Sequence, residues 1–208
     1  MKYAKMLGLA LVAAAALMAF VGAGTASATK LCKNNLNTTT CSESYGTGTV
    51  IDATLAGEKP SAILETTGGT VLDTCTSSTV KGKTATAGSS TETVKGPIEE
   101  LTWGGCTKET KTLTTGELEI HHIAGTDNGT LTAKDTQVTV NGLFENESCV
   151  YGAGTGTDLG VVTGGATATI TINALVKRVT GGFSCPAETR WTASYTVTAP
   201  KPLYVSVG

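Results

Sequence analysis

From Arg190 to Thr198 the chain alternates without a break: Trp191, Ala193, Tyr195 and Val197 fall on one side, and Thr192, Ser194, Thr196 and Thr198 on the other. Successive side chains of a β-strand point to opposite faces, so this run buries its apolar residues only as a half-wet strand of an antiparallel sheet. The same period governs Thr167 to Val176, where Ile170, Ile172, Ala174 and Val176 oppose Thr169, Thr171 and Asn173, and it returns in Thr136 to Val140. Beyond residue 28 no stretch places apolar residues at helical spacing over three turns. Further strands are expected over Thr49 to Leu55, Ala62 to Thr66, Val71 to Thr76, Ser78 to Lys83, Ile98 to Trp103 and Gly116 to Ile123, about ten short strands in all.

Residues that tolerate positive φ separate these runs: Gly68-Gly69, Gly88-Ser89-Ser90, Asp127-Asn128-Gly129, Asn141-Gly142, Gly164-Gly165 and Gly181-Gly182. Short strands joined by such turns predict an all-β fold, an antiparallel β-sandwich or small barrel of hairpins and meanders. The chain is also threonine-rich, about one residue in five, as the wet face of a sheet favours. No tyrosine stands two residues before a cysteine, so the immunoglobulin pattern is absent.

Lys2 and Lys5 precede an apolar run from Met6 to about Gly22 that leads to Ala26-Ser27-Ala28. That is the basic, apolar, small-residue order of a secretory signal peptide, expected over residues 1–28. The run is roughly 17 residues, at the short edge of a bilayer span, and no basic stop-transfer cluster follows. Cys32 stands too far beyond the cleavage point for lipid anchoring there. Residues 29–208 are therefore expected to form a single secreted β domain, extracellular or cell-surface associated, with no membrane span left after cleavage. That mature chain carries 13 basic and 17 acidic residues, a formal charge of −4, which argues against nucleic acid as a partner.

All six cysteines, Cys32, Cys41, Cys75, Cys106, Cys149 and Cys185, fall in the mature part, an even number that reads as a disulfide framework in an exported chain. Fifteen pairings are possible and the spacings favour consecutive bridges. Closing loops of about 10, 32 and 37 residues would stabilise the fold by roughly 3 to 4 kcal/mol each. No Cys-x-x-Cys pair suggests zinc. Trp103 and Trp191 each lie within six residues of a cysteine and are expected to cover the bridges that Cys106 and Cys185 enter; an exposed tryptophan would instead mark a sugar-stacking site.

The run Cys185-Pro186-Ala187-Glu188-Thr189-Arg190-Trp191-Thr192-Ala193-Ser194-Tyr195-Thr196-Val197-Thr198-Ala199-Pro200, with Cys149-Val150-Tyr151-Gly152 upstream, resembles a set of small secreted Thr-, Gly- and Cys-rich proteins of high-GC Gram-positive bacteria. The similarity is carried by residues 149–208 and elsewhere by composition. It implies export and a β domain, and brings no known activity or catalytic residue.

Three groups of residues could carry chemistry. His121 shares a strand face with Glu117 and Glu119, a set suited to acid-base or metal work, but neighbouring His122 points to the other face. Glu99 and Glu100 offer the two carboxylates of a glycosidase, and alternation should likewise separate them. Asp127-Asn128-Gly129 with Asp135 supplies oxygen ligands for calcium, although the tripeptide also reads as a plain hairpin turn. Asn37, Asn128 and Asn146 open Asn-x-Ser/Thr triplets, which a threonine-rich chain generates freely. The expectation is a non-catalytic extracellular or cell-surface module without catalytic, cofactor or metal residues, binding glycan, envelope component or protein through loops and aromatic edges. The alternative is a small secreted hydrolase using acidic residues. An enzyme gathers carboxylates or a histidine in one cleft; a binding module scatters its charge.

Overall fold

The computed structural model describes residues 28–34, 41–58, 60–143 and 147–208. The expected leader, apart from Ala28, lies outside the described residues, as do Asn37 and Asn146. The described chain forms fifteen strands. They are β1 (Lys30–Cys32), β2 (Val50–Leu55), β3 (Ala62–Thr66), β4 (Val71–Cys75), β5 (Ser77–Lys83), β6 (Val94–Gly104), β7 (Glu109–Thr114) and β8 (Glu117–His122). There follow β9 (Gly129–Lys134), β10 (Thr136–Asn141), β11 (Ser148–Ala153), β12 (Thr157–Thr163), β13 (Thr169–Thr180), β14 (Glu188–Ala199) and β15 (Tyr204–Ser206). No helix among the described residues is long and apolar enough to cross a membrane.

Eight strands close into an antiparallel barrel in the order β14, β2, β5, β6, β8, β9, β12, β13 and back to β14. Of the two architectures expected, the barrel is the one formed. Its two longest strands extend beyond the ring. Residues 195–199 of β14 pair with β2 inside the barrel, while residues 189–193 pair with β3. Residues 169–172 of β13 pair with β12, while residues 177–180 pair with β11. From these extensions β3–β4 and β11–β10–β7 fan out as two flanges, so the β13–β14 pair is the spine of both halves.

The alternation of sequence becomes the wall of the core. Ala193, Tyr195 and Val197 of β14 and Ile172, Ala174 and Val176 of β13 are buried, and Asn173, Leu175, Ser194 and Thr196 between them face outward. Where strands crowd, glycine is required: at Gly160 of β12, φ is +144° and a Cβ would lie 2.0 Å from the Thr171 carbonyl of β13.

β4 and β7 end the strand order, and they are joined to each other by side chains rather than by a ladder. Cys75 at the end of β4 is bonded to Cys106, just before β7. Beside that bridge Asp73 of β4, 3% exposed, accepts from the Thr107 hydroxyl (2.7 Å), the Lys108 amide (2.9 Å), the Thr110 hydroxyl (2.5 Å) and its own neighbour's amide at Thr74 (2.8 Å). β7 also lies against β6, where Trp103 Nε1 donates to Thr112 Oγ1 at 3.0 Å and that hydroxyl donates to the Leu101 carbonyl at 2.6 Å. Free sheet edges invite pairing with other chains, and here Asp73 and the Cys75–Cys106 bridge tie one edge to the segment that leads into the other.

The opposite end of the barrel is capped by the two-stranded ribbon β1–β15, which brings Leu31, Leu203 and Val205 to 2% exposure or less. Two further bridges, Cys32–Cys41 and Cys149–Cys185, complete a set of three in which no described cysteine is free. Three disulfides are the mark of an oxidising compartment.

Candidate functional site

A cavity of ≈ 100 Å³ follows the β13–β14 spine from Ile170 and Tyr195 to Val176 and Trp191. Its walls are aliphatic and aromatic almost throughout. Trp103 and Trp191 meet edge to face within this wall, their ring centroids 5.7 Å apart at 66°, and both are half-buried. Trp103 and Cys75 both line the cavity, whereas Cys185 is not part of its lining, and neither tryptophan is an exposed platform for a sugar. A second space of ≈ 70 Å³ lies under the capping ribbon.

Among the described residues the larger cavity is lined by one carboxylate, that of Asp73, and by no lysine, arginine or histidine. Thr74, Thr107 and Lys108 all donate to Asp73 Oδ1 and Thr110 donates to Oδ2, so the group is a structural anchor that ties β4 to the segment entering β7. Asp73, Cys75 and Cys106 stand close enough to suggest a metal set, but the two sulfurs are bonded to each other and are not thiolates.

Buried polar atoms in this region fall into two kinds. The Tyr195 hydroxyl donates to Ser78 Oγ at 3.0 Å and Trp103 Nε1 is satisfied by Thr112. The Tyr151 hydroxyl and Trp191 Nε1, on side chains that line the cavity, are themselves buried and have no hydrogen-bond partner among the described residues. Each unpaired buried donor costs about 1–3 kcal/mol. Tyr151 is 3% exposed and its β11 position pairs with Arg178 of β13.

Burial pushes the Tyr151 and Tyr195 phenols up to about 12, against an opposing pull from the Arg178 charge on the first and the Ser78 hydrogen bond on the second. The native fold thus holds protons that the unfolded chain releases near pH 10. Stability is complete below that pH and falls as pH rises towards 12. Urea midpoints should decline between pH 9.5 and 11.5; a flat or rising trend would mean that the phenols ionise in place.

The acid-base candidates meet in one pair and otherwise stand apart. His121 Nε2 lies 3.7 Å from Glu119 Oε1, an ion pair when the imidazole is protonated, and Glu119 also accepts from the Thr93 hydroxyl. His122 Nε2 bonds the Thr126 carbonyl at 2.7 Å, away from that group, as adjacent strand positions require. Glu99 and Glu100 correct the expectation of opposite faces. The register of β6 shifts at this point, with Lys81 opposite Glu100 and Gly82 opposite Ile98, leaving Glu99 as an extra residue. The bulge turns Ile98 and Leu101 both inward and leaves both glutamates outside, where Glu99 pairs with Lys83 and Glu100 with Lys81 at 3.2 Å.

The calcium candidates are divided by a strand. Asp127 precedes β9 and Asp135 follows it, so roughly 20 Å of extended chain separates them. Asn128 is engaged through Oδ1 with the Gly164 amide at 3.0 Å, while Asp135, at φ 59°, makes the corner from barrel to flange.

Reading by residue type found the exposed acids and missed Asp73, the one carboxylate that reaches the cavity. Its signal was positional: Asp73 and Cys75 share one face of a strand, and a half-cystine marks that face as inward. No protein-family model, no curated protein and no solved structure matches this chain.

Proposed function

We propose that this protein is a non-catalytic binding module of the extracellular space or cell surface. The observation that carries the reading is the separation of its reactive groups. His121 and His122 engage different partners, both glutamates of the candidate pair are held by lysines in solvent, and the cavity's single carboxylate is engaged by four donors of its own chain. Three disulfides and the resemblance of the Cys185 to Pro200 run to small secreted proteins support export. Glycans, envelope components and proteins are the ligand classes proposed for the outer surface, where Phe183 stands fully exposed on the loop between β13 and β14.

The test is alanine replacement at His121, His122, Glu99 and Glu100. Exposed positions tolerate substitution within about 0.5 kcal/mol, and His122, which loses one hydrogen bond, within about 1 kcal/mol. All four variants should melt close to wild type, and neither wild type nor variant should turn over polysaccharide, ester or peptide panels. Turnover by wild type that one alanine abolishes without unfolding the protein would replace this reading with the hydrolase.

A further inference from the structure

The interior of an eight-stranded barrel is just wide enough to be filled by its own side chains or to hold one small ligand. Here small side chains leave room: Ala133 of β9, with Ala62 and Ala153 of the flanges, borders the cavity of ≈ 100 Å³, and Ala53 of β2 borders the space of ≈ 70 Å³ under the ribbon. The two spaces are neighbours. Val80, Ile98, Leu118, Leu131 and Ile170 line both of them, and these residues come from β5, β6, β8, β9 and β13, five of the eight strands of the barrel. One layer of aliphatic side chains therefore stands between the spaces and forms a wall of each. Asp73, the single carboxylate on the larger space, is engaged by four donors of its own chain. The wall is otherwise aliphatic and aromatic almost throughout, and water, which needs two to four polar partners, is poorly served by it. Ile63, Leu64, Trp103 and Trp191 line the larger space and are half-buried, so that end borders solvent.

Neither space alone reaches the about 150 Å³ of an apolar cavity that holds benzene, and a ring would have to break the layer that divides them. A chain needs only the width of one methylene group, and it can pass between aliphatic side chains that change rotamer. We infer that the two spaces together take up a short, unbranched, uncharged hydrocarbon chain, which crosses the layer from the tryptophan end towards the ribbon. This deepens the non-catalytic binding reading and rests on it. Burial of the chain against aliphatic walls supplies the affinity, and the layer selects chain over ring.

The disulfide-intact protein, carrying isotope-labelled leucine methyl groups, is titrated with n-hexane and, in parallel, with cyclohexane. Leu159 borders only the larger space and Leu203 only the smaller, so their methyl resonances report the two ends separately. Hexane should shift both resonances, saturably and with one dissociation constant. Cyclohexane should shift that of Leu159 at most. Ala53→Val fills part of the smaller space and does not touch the larger. It should weaken hexane about four- to fifteen-fold, the loss of one or two buried methylene groups, and leave any cyclohexane binding unchanged.

Hexane that shifts Leu159 alone, or shifts the two resonances with different dissociation constants, would overturn the inference, because no single chain would then cross the layer. So would the absence of any saturable shift, or cyclohexane moving Leu203 as strongly as hexane does. These outcomes are read on the wild-type protein and decide the matter even if Ala53→Val does not fold. A folded Ala53→Val that keeps wild-type affinity for hexane would also overturn it. Turnover of the polysaccharide, ester or peptide panels would sink the non-catalytic reading separately and leave these shifts as they are.

Discussion

Asp73→Ala should destabilise the protein by about 3–5 kcal/mol, the largest loss expected from any single side chain described here. The carboxylate is 3% exposed and satisfies two backbone amides and two hydroxyls, three of these donors lying on or just before β7. Truncation leaves all four facing a void, and the amides cannot turn away as the hydroxyls can. Asp73→Asn keeps one acceptor oxygen and should cost roughly half as much. Urea denaturation followed by tryptophan fluorescence measures both, with the slope m checked for constancy. A shift under about 1 kcal/mol for the alanine variant would mean that the two sheet edges hold together without the carboxylate.

The second fastener of that seam is the Cys75–Cys106 bridge, which closes a loop of 31 residues' separation. Replacing both cysteines with alanine should cost about 3–4 kcal/mol by the chain-entropy estimate. Both fasteners join the same two edges, so their effects should not add. Once one is removed the edges part more readily, and removing the other costs less than it does alone. The triple variant Asp73→Ala, Cys75→Ala, Cys106→Ala should therefore lose less than the sum of the two separate losses. Strict additivity would show that the carboxylate and the bridge act on independent parts of the structure.

The sequence made legible those strands that have one wet and one dry face. β13 and β14, and β10 in miniature, were read from alternation because polar residues on the outside and apolar residues on the inside follow a period of two. β11 gave no such pattern, since five of its six residues are buried and one of them is glycine. β7 failed for the opposite reason: Thr110 and Thr112 are its inward residues, working through their hydroxyls, and its one apolar residue, Leu113, faces outward. The bulge at Glu99 has no local signal, because it is set by register against β5. The cavity was the least legible feature. Its lining comes from strands spread over most of the chain, and the lack of a partner at Tyr151 and Trp191 is a fact about neighbours brought together only by folding.

The capping ribbon places Lys30 opposite Ser206 and Cys32 opposite Tyr204. Antiparallel partners have their Cα atoms about 4.5–5.5 Å apart, so the first and last strands described come together nearly as the two arms of a hairpin do. The topology is thus circular but for one short gap. A linker of a few residues could bridge it, and the chain could be opened instead at the exposed Gly68-Gly69 turn without breaking a strand. In such a permuted chain the ribbon would change from the most distant pairing along the polypeptide to one of the nearest. The cap over the barrel would then nucleate early, where the natural order of strands leaves it to close last.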